Sequence, residues 1–330
     1  GIRDYIKNLK HLEPDGLIVS DPSVIETAGE IAPDIPLHLS TQASATNWQA
    51  VKFWEKQGIS RVVLARELSL EDIKEISGRV NIEIECFIHG AMCISYSGRC
   101  LLSAYLTSRN ANLGECAHPC RWRYYLMEEK RPGEYHQVFE DEHGTHIFNS
   151  KDLCMINYIP ELIQAGIDCF KVEGRMKSVH YVATVTRVYR QAVDEYFSNP
   201  DTYSIKKEWL EELEKVSHRP YTTGFFLGKP GMEDQIYQDS SYVRGYDFVG
   251  IVKEYCQNTG MALVEQRNHF ARGEELEFLS PAEEPFSQTI SEIYTADGEE
   301  VGEAPHPQQL LLIPAKKEVR PYDIIRRPVE

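Results

Sequence analysis

The chain has 330 residues, 42% of them hydrophobic and 26% charged, the balance of a globular protein with room for two domains. Its net charge of −16 excludes a protein that coats nucleic acid with its whole surface. No apolar run nears the roughly 18–20 residues needed to cross a bilayer, and no basic-then-apolar leader opens the chain, so a cytoplasmic protein without a membrane partner is expected. The first residue is Gly1 rather than Met, which leaves open that the chain is a fragment. The charge is uneven. Ala91 to His180 carries 10 Lys and Arg against 11 Asp and Glu, and the rest 25 against 40, so the middle third is what a polyanion approaches with least repulsion.

In chain order, Gly16–Ser20, Pro36–Ser40, Arg61–Ala65, Ile82–Ile88 and Cys169–Glu173 read as short strands. Helical patterns lie between them: Thr46–Gln57, with Trp48, Val51 and Trp54 at helical spacing; Ser69–Ile76, opened by Ser69-Leu-Glu-Asp; and Ile156–Ala165, closed by Gly166. This alternation predicts a parallel sheet, and no Gly-x-Gly-x-x-Gly follows a strand to mark a dinucleotide fold. Polar residues stand just past the strands instead: Ser20-Asp21, Thr41-Gln42, Arg66-Glu67, His89-Gly90 and Gly174-Arg175. That is where a TIM-type barrel keeps its active site. The expected fold is therefore α/β, a TIM-type (β/α) barrel over residues 1–220. Five strands cannot close eight, so either strands are missing before Gly1 or the barrel is incomplete. A long helix over Val179–Phe197 and a charged one across 201–216 follow. From Phe248 the pattern becomes short strands at 248–252, 261–265, 275–278, 289–293 and 309–313, which predicts a small all-β barrel over 221–330.

Eight cysteines without a secretory leader point to thiols or metal ligands rather than disulfides. All but Cys256 fall between Cys86 and Cys169. Cys93 and Cys100 would stand about 10 Å apart in a straight helix, so to share one metal the segment must bend, and Ser97-Gly98 offers the turn. Cys116 and Cys120 form a C-x3-C pair placed on a loop by Pro119, which disfavours helix at His118. Structural zinc sites pair ligands more tightly, whereas thiolates gathered from several loops suit an iron–sulfur cluster. Cys86, Cys169 and Cys256 read as buried free thiols.

Glu85-x-Phe87-x-x-Gly90-Ala-Met-Cys93, followed by Ser97-Gly98-x-Cys100-x-Leu102-Ser103, resembles the signature of the collagenase-like peptidase family of unassigned mechanism. Asn112-x-Gly114-x-Cys116-x-x-Pro119-Cys120-Arg121-Trp122, Asn149-Ser-Lys-Asp-Leu153, Phe170 to Ser178 and His218 to Gly224 extend the match. Within the family the chain is most similar to the bacterial tRNA hydroxylation branch. The resemblance implies a prephenate-dependent enzyme that forms 5-hydroxyuridine at the tRNA wobble position. It also implies a TIM-type barrel lacking its N-terminal strands, and a 4Fe-4S cluster on Cys93, Cys100, Cys116 and Cys154, with Cys120 the alternative fourth ligand. The C-terminal strands resemble the second-domain barrel of translation elongation factors. The partners implied are tRNA and a small dicarboxylate.

On the strand-end face, His89, Glu67, Glu173 and Arg175 are the candidate catalytic groups, and Gln42 lines the same pocket. Arg175, Lys177 and Lys151 suit a dicarboxylate or a backbone phosphate. Arg121-Trp122-Arg123 joins cations to a stacking surface, as single-stranded RNA binding favours. Two other readings stand beside this one. A peptidase would agree with the family's name, but the chain has neither His-Glu-x-x-His nor Gly-x-Ser-x-Gly. A non-catalytic RNA-binding protein would keep the cluster as a structural element.

Overall fold

Short apolar runs alternating with capped helices build the first part of the structure, a computed structural model. It describes residues 1–93, 95–122, 125–127, 135–137, 149–230, 234–236, 244–281 and 283–329. The chain divides into two units. One holds Gly1–Arg175 with Arg219–Ser241, the other Met176–His218 with Tyr242–Glu330. A single cut near residue 220 therefore does not describe it. The helices α7 (Val179–Ser198) and α8 (Lys207–Glu214) belong with the C-terminal strands. The cause is polar as well as apolar: Arg187 donates to the carbonyls of Ser280 and Glu283, each at 2.9 Å, and Arg326 meets Glu212 of α8.

In the first unit β1 (Leu17–Val19), β2 (Leu37–Leu39), β3 (Ile59–Val63) and β4 (Glu83–Ala91) pair in parallel, in sequence order. Cys169–Val172 runs parallel to β4, with Glu85 opposite Cys169. All the expected strands are present. Among the described residues two more bring the sheet to seven strands. Asp152–Cys154 pairs antiparallel with the end of β4, setting Cys154 opposite His89, and Tyr221–Thr222 runs parallel to Asp152–Leu153. That antiparallel pairing departs from a uniformly parallel barrel. Among the described residues β1, Tyr221–Thr222 and Cys169–Val172 each pair on one side only, so the sheet does not close.

The helices start where local chemistry caps them. Asp21 accepts from the N–H of Ser23 at 2.8 Å and of Val24 at 3.4 Å to open α2 (Pro22–Ile31), with Pro22 in the first turn. Asp21 is thus a cap and not a pocket residue. Ser69 and Asp72 bond reciprocally at the start of α4 (Leu70–Ser77), as the sequence reads. Along β4 the side chains alternate. Ile84, Cys86 and Ile88 are buried, as are Ile73 and Ile76 of α4. The alternate positions Glu83, Glu85 and His89 carry the polar chemistry, with the Phe87 ring between them. Arg61 reaches Glu83 at 2.7 Å and Glu85 at 3.4 Å, and Lys171 bonds Glu85.

The second unit is built on an eight-stranded antiparallel sheet in which Tyr246–Cys256 pairs with both Met261–Gln266 and Ile324–Pro328. The sheet is curled and open rather than the closed small barrel expected. The strand expected at 289–293 falls mostly on the gap between two strands, Phe286–Thr289 and Ile293–Thr295. Between them Ile290 leaves the ladder, its N–H donating to Glu274 at 2.9 Å. The core is apolar and fully buried, with Val249, Val264, Phe270, Phe278, Leu311 and Ile325 at its centre. No helix among the described residues is long and apolar enough to cross a membrane.

Candidate functional site

The cysteine-bearing segment leaves the end of β4 and is tied back to the ends of the neighbouring strands. Ser97, buried, donates its N–H to Glu67 at 2.8 Å, and its hydroxyl reaches the same carboxylate at 3.2 Å. Gly98 has φ +77 and lies against the Gln42 backbone, where an added Cβ would meet the Gln42 Cα at 2.8 Å. Gln42 donates through Nε2 to the Asn112 carbonyl, and Asn112 donates through Nδ2 to Gly98 at 3.4 Å. Further along, the Arg175 guanidinium lies against Gly114, at φ +73, so that any side chain there would collide with it. The Ala117 N–H donates to Ser103 of α5 (Leu102–Thr107) at 3.0 Å, which fixes the residue after Cys116.

Gln42, Glu67 and Arg175 thus stand where the sequence places them, past the strand ends. Polar atoms of Gln42 and Glu67 grip the cysteine segment, which makes these two positioning residues, while the Arg175 guanidinium lies beside it at Gly114. Glu173 accepts from the Arg175 N–H at 2.9 Å and faces Arg66 at 3.7 Å. Arg66 stacks its guanidinium 3.8 Å from the centre of the Phe87 ring. Its position after β3 is the only sequence sign of that role. His89 is only 1% exposed and packs its ring 5.4 Å from that of Tyr221.

The remaining candidates are spread out. The Lys151 N–H donates to Asp234 at 3.1 Å. Lys177 lies in the second unit, donating to the Ser217 carbonyl at 2.7 Å, with its ammonium 4.9 Å from the Tyr181 ring. Trp122 is half-exposed rather than core, and the side chain of Arg121, like all of Arg123, lies outside the described residues.

Of the cysteines, Cys93 is exposed as a residue, yet crowding around its sulfur pushes its thiol pKa up. The Ser95 backbone and Arg66 oppose the rise, and Cys100 and Cys116 add to it, which places these thiols within one another's field. A raised pKa is the reverse of what a cysteine nucleophile needs. Cys116 Sγ accepts from the His118 N–H at 3.4 Å, and His118 takes a left-handed conformation (φ +54) ahead of Pro119. The turn Pro119–Arg121 that carries Cys120 packs against both α5 and Asn149–Ser150. Among the described residues no three His, Cys, Asp or Glu side chains converge on one metal position. The donor set still suits a cluster chemically: soft thiolates, an N–H to sulfur bond and a nearby guanidinium. Cys86 is buried as expected, and burial raises its thiol pKa. Cys169 is half-buried and Cys256 exposed, so neither is the core thiol expected. Cys256 sits at the outer end of its strand, where alternation stops reporting burial.

Two family models match in succession: peptidase family U32 over residues 1–236 and the peptidase family U32 C-terminal domain over 244–326. The chain belongs to peptidase family U32. Among its U32 relatives, tRNA hydroxylation protein P1 of Bacillus subtilis (strain 168) is 46% identical, over 99% of this chain and 77% of that protein. tRNA hydroxylation protein P of Escherichia coli (strain K12) is 37% identical, over 96% and 79%. A collagenase of Porphyromonas gingivalis (strain ATCC BAA-308 / W83) is 30% identical, over 99% and 79%. Of solved structures, the C-terminal domain of a Geobacillus thermoleovorans putative U32 peptidase is 40% identical, covering 26% of this chain and 93% of that one with a TM-score of 0.24.

Proposed function

We propose that this U32 chain is a cytoplasmic tRNA hydroxylase that forms 5-hydroxyuridine at the wobble position with prephenate as co-substrate. The observation that carries the reading is likeness along nearly the whole chain, at 46% and 37% identity, to two proteins named for tRNA hydroxylation. The first unit is read as a TIM-type barrel whose strand-end face is the active face. The parallel order of β1 to β4 and the polar residues at their ends support this.

Cys93, Cys100 and Cys116 would hold a 4Fe-4S cluster, with Cys154 as fourth ligand and Cys120 as the alternative. Cys154 is favoured because its register partner is His89, on the strand that delivers Cys93. When bound, such a cluster supplies a redox centre for an oxygen-transfer reaction. The chain's own residues do the positioning. Glu67 and Gln42 hold the turn ahead of Cys100, Arg175 brings a cation beside Gly114 ahead of Cys116, and Arg66 favours negative charge at Cys93.

Nucleoside mass spectrometry of tRNA from a strain lacking its own hydroxylation proteins tests the reading. Supplying this chain should restore 5-hydroxyuridine. Absence of the nucleoside while the chain is expressed, folded and iron-loaded would contradict it.

A further inference from the structure

The turn Tyr96–Arg99 is held more firmly than a surface turn requires. The Arg99 N–H donates to the Tyr96 carbonyl at 3.0 Å, and Gly98 at φ +77 supplies the positive angle that a type II turn demands at its third position. Ser97 is pinned to Glu67 and Gly98 to Gln42 and Asn112. Yet the two end residues face outward. Tyr96 is 65% exposed, and exposed Arg99 has no ion-pair partner among the described residues. With Ser44 and Ser95 they line an open cleft of about 580 Å³.

An aromatic face, one unpaired guanidinium and two hydroxyls on a rigid frame match a nucleotide. The base finds a stacking surface, the phosphate a cation, and the sugar or base edge hydroxyl partners. A free dicarboxylate carries two charges and would meet only one cation among the described lining residues. Ser95, Tyr96 and Arg99 of this lining also lie within the stretch of the chain that is close to neutral in an otherwise acidic protein.

We propose that this cleft binds one nucleotide of single-stranded RNA, its base stacked on Tyr96 and its phosphate paired with Arg99. The proposal rests on the tRNA reading and adds to it the residues that grip the RNA beside the cysteine segment.

The test is fluorescence anisotropy of a labelled anticodon stem–loop RNA titrated with the full iron-loaded chain, alongside the tRNA nucleoside assay. Tyr96→Ala should weaken binding about 5- to 150-fold, the cost of losing one stacked base, while Tyr96→Phe stays near wild type. Arg99→Gln should weaken binding and make the slope of log affinity against log salt shallower by about 0.7, one single-strand phosphate contact. Unchanged thermal unfolding midpoints would confirm that the variants fold. Should Tyr96→Ala unfold, Tyr96→Leu keeps bulk while removing the π face and is expected to lose the same stacking. Equal RNA affinity in wild type and variants would overturn the cleft and leave the tRNA reading standing. If Arg99→Gln abolished only binding of a free dicarboxylate, the cleft would be a co-substrate site and the proposal wrong. A wild-type chain that neither bound the RNA nor restored the nucleoside would overturn both.

Discussion

The second unit and the cysteine segment both rely on charged side chains, in opposite ways. In the second unit Arg326 is fully buried, its guanidinium bonding Glu212 at 2.8 Å and also Glu277, both largely buried. Charge there meets charge, and the result is a fixed joint between α8 and the sheet. In the cysteine segment, Glu67 is spent on the Ser97 backbone and hydroxyl, and the Arg175 guanidinium lies beside Gly114. What these groups hold is exposed: Tyr96, Tyr105 and Trp122 all face outward in the stretch that carries Cys100, Cys116 and Cys120. Ion pairs buried against each other hold a scaffold. Charges spent on the backbone of an exposed segment hold a site.

The largest effect that would sharpen this contrast is on stability. Arg326→Met leaves Glu212 and Glu277 buried without their main cation, and should cost about 3–5 kcal/mol. Chemical denaturation should show that loss, while tRNA hydroxylation per folded molecule stays at the wild-type level. Lost hydroxylation in fully folded protein would mean that the joint also serves the site. Glu67→Ala should show the reverse pattern. Its charge-assisted bonds to Ser97 are worth about 1.5–3 kcal/mol at most, and less here because Glu67 is only half-buried. Hydroxylation should nevertheless fall sharply, because the turn before Cys100 is no longer held. Wild-type activity in Glu67→Ala would break the positioning claim.

A third, pH-dependent effect belongs to the second unit alone. His180 is buried with its ring 6.0 Å from that of Phe248, and burial, followed by Arg326, pushes its pKa down from 6.5 to about 3. The unfolded chain takes up this proton near pH 6.5, whereas the folded chain resists until about 3. Stability should therefore be flat with respect to this group above pH 6.5 and decline below it, by up to about 1.4 kcal/mol per pH unit. His180→Phe should flatten that part of the curve; an unchanged slope would assign the loss to other groups. The smallest effect is expected of Cys256→Ser. Its side chain is exposed in the second unit, so neither iron content nor melting temperature should move.

Much of the scaffold was legible in the sequence. β1 to β4 and Cys169–Val172 are apolar runs bounded by turn residues, and α4 announces itself through Ser69 and Asp72. Asp152–Cys154 and Tyr221–Thr222 were not, because so few residues carry no period and their pairing depends on where β4 ends. The open edge of the second sheet was hidden for a related reason: strand propensity does not say whether the last strand finds the first. At the site, the cysteines stood out by residue type and clustering. The grip of Gln42 on Asn112 and of Glu67 on Ser97 did not, since a side chain's direction is set by partners tens of residues away. Tyr96 and Arg99 flank the Ser97-Gly98 turn that the cysteine spacing calls for, and that placement was the available signal for them.

The most direct test of the central claim joins iron to modification in one comparison. Wild-type, Cys93→Ser and Cys256→Ser chains would each be expressed in a strain lacking its own hydroxylation proteins, with iron measured in the anaerobically purified protein and 5-hydroxyuridine in the tRNA. Wild type and Cys256→Ser should hold iron and restore the nucleoside, and Cys93→Ser should lose both, because a Ser hydroxyl replaces a soft thiolate poorly. Full iron and full 5-hydroxyuridine in Cys93→Ser would contradict a cluster-bearing cysteine segment at the heart of a tRNA hydroxylase.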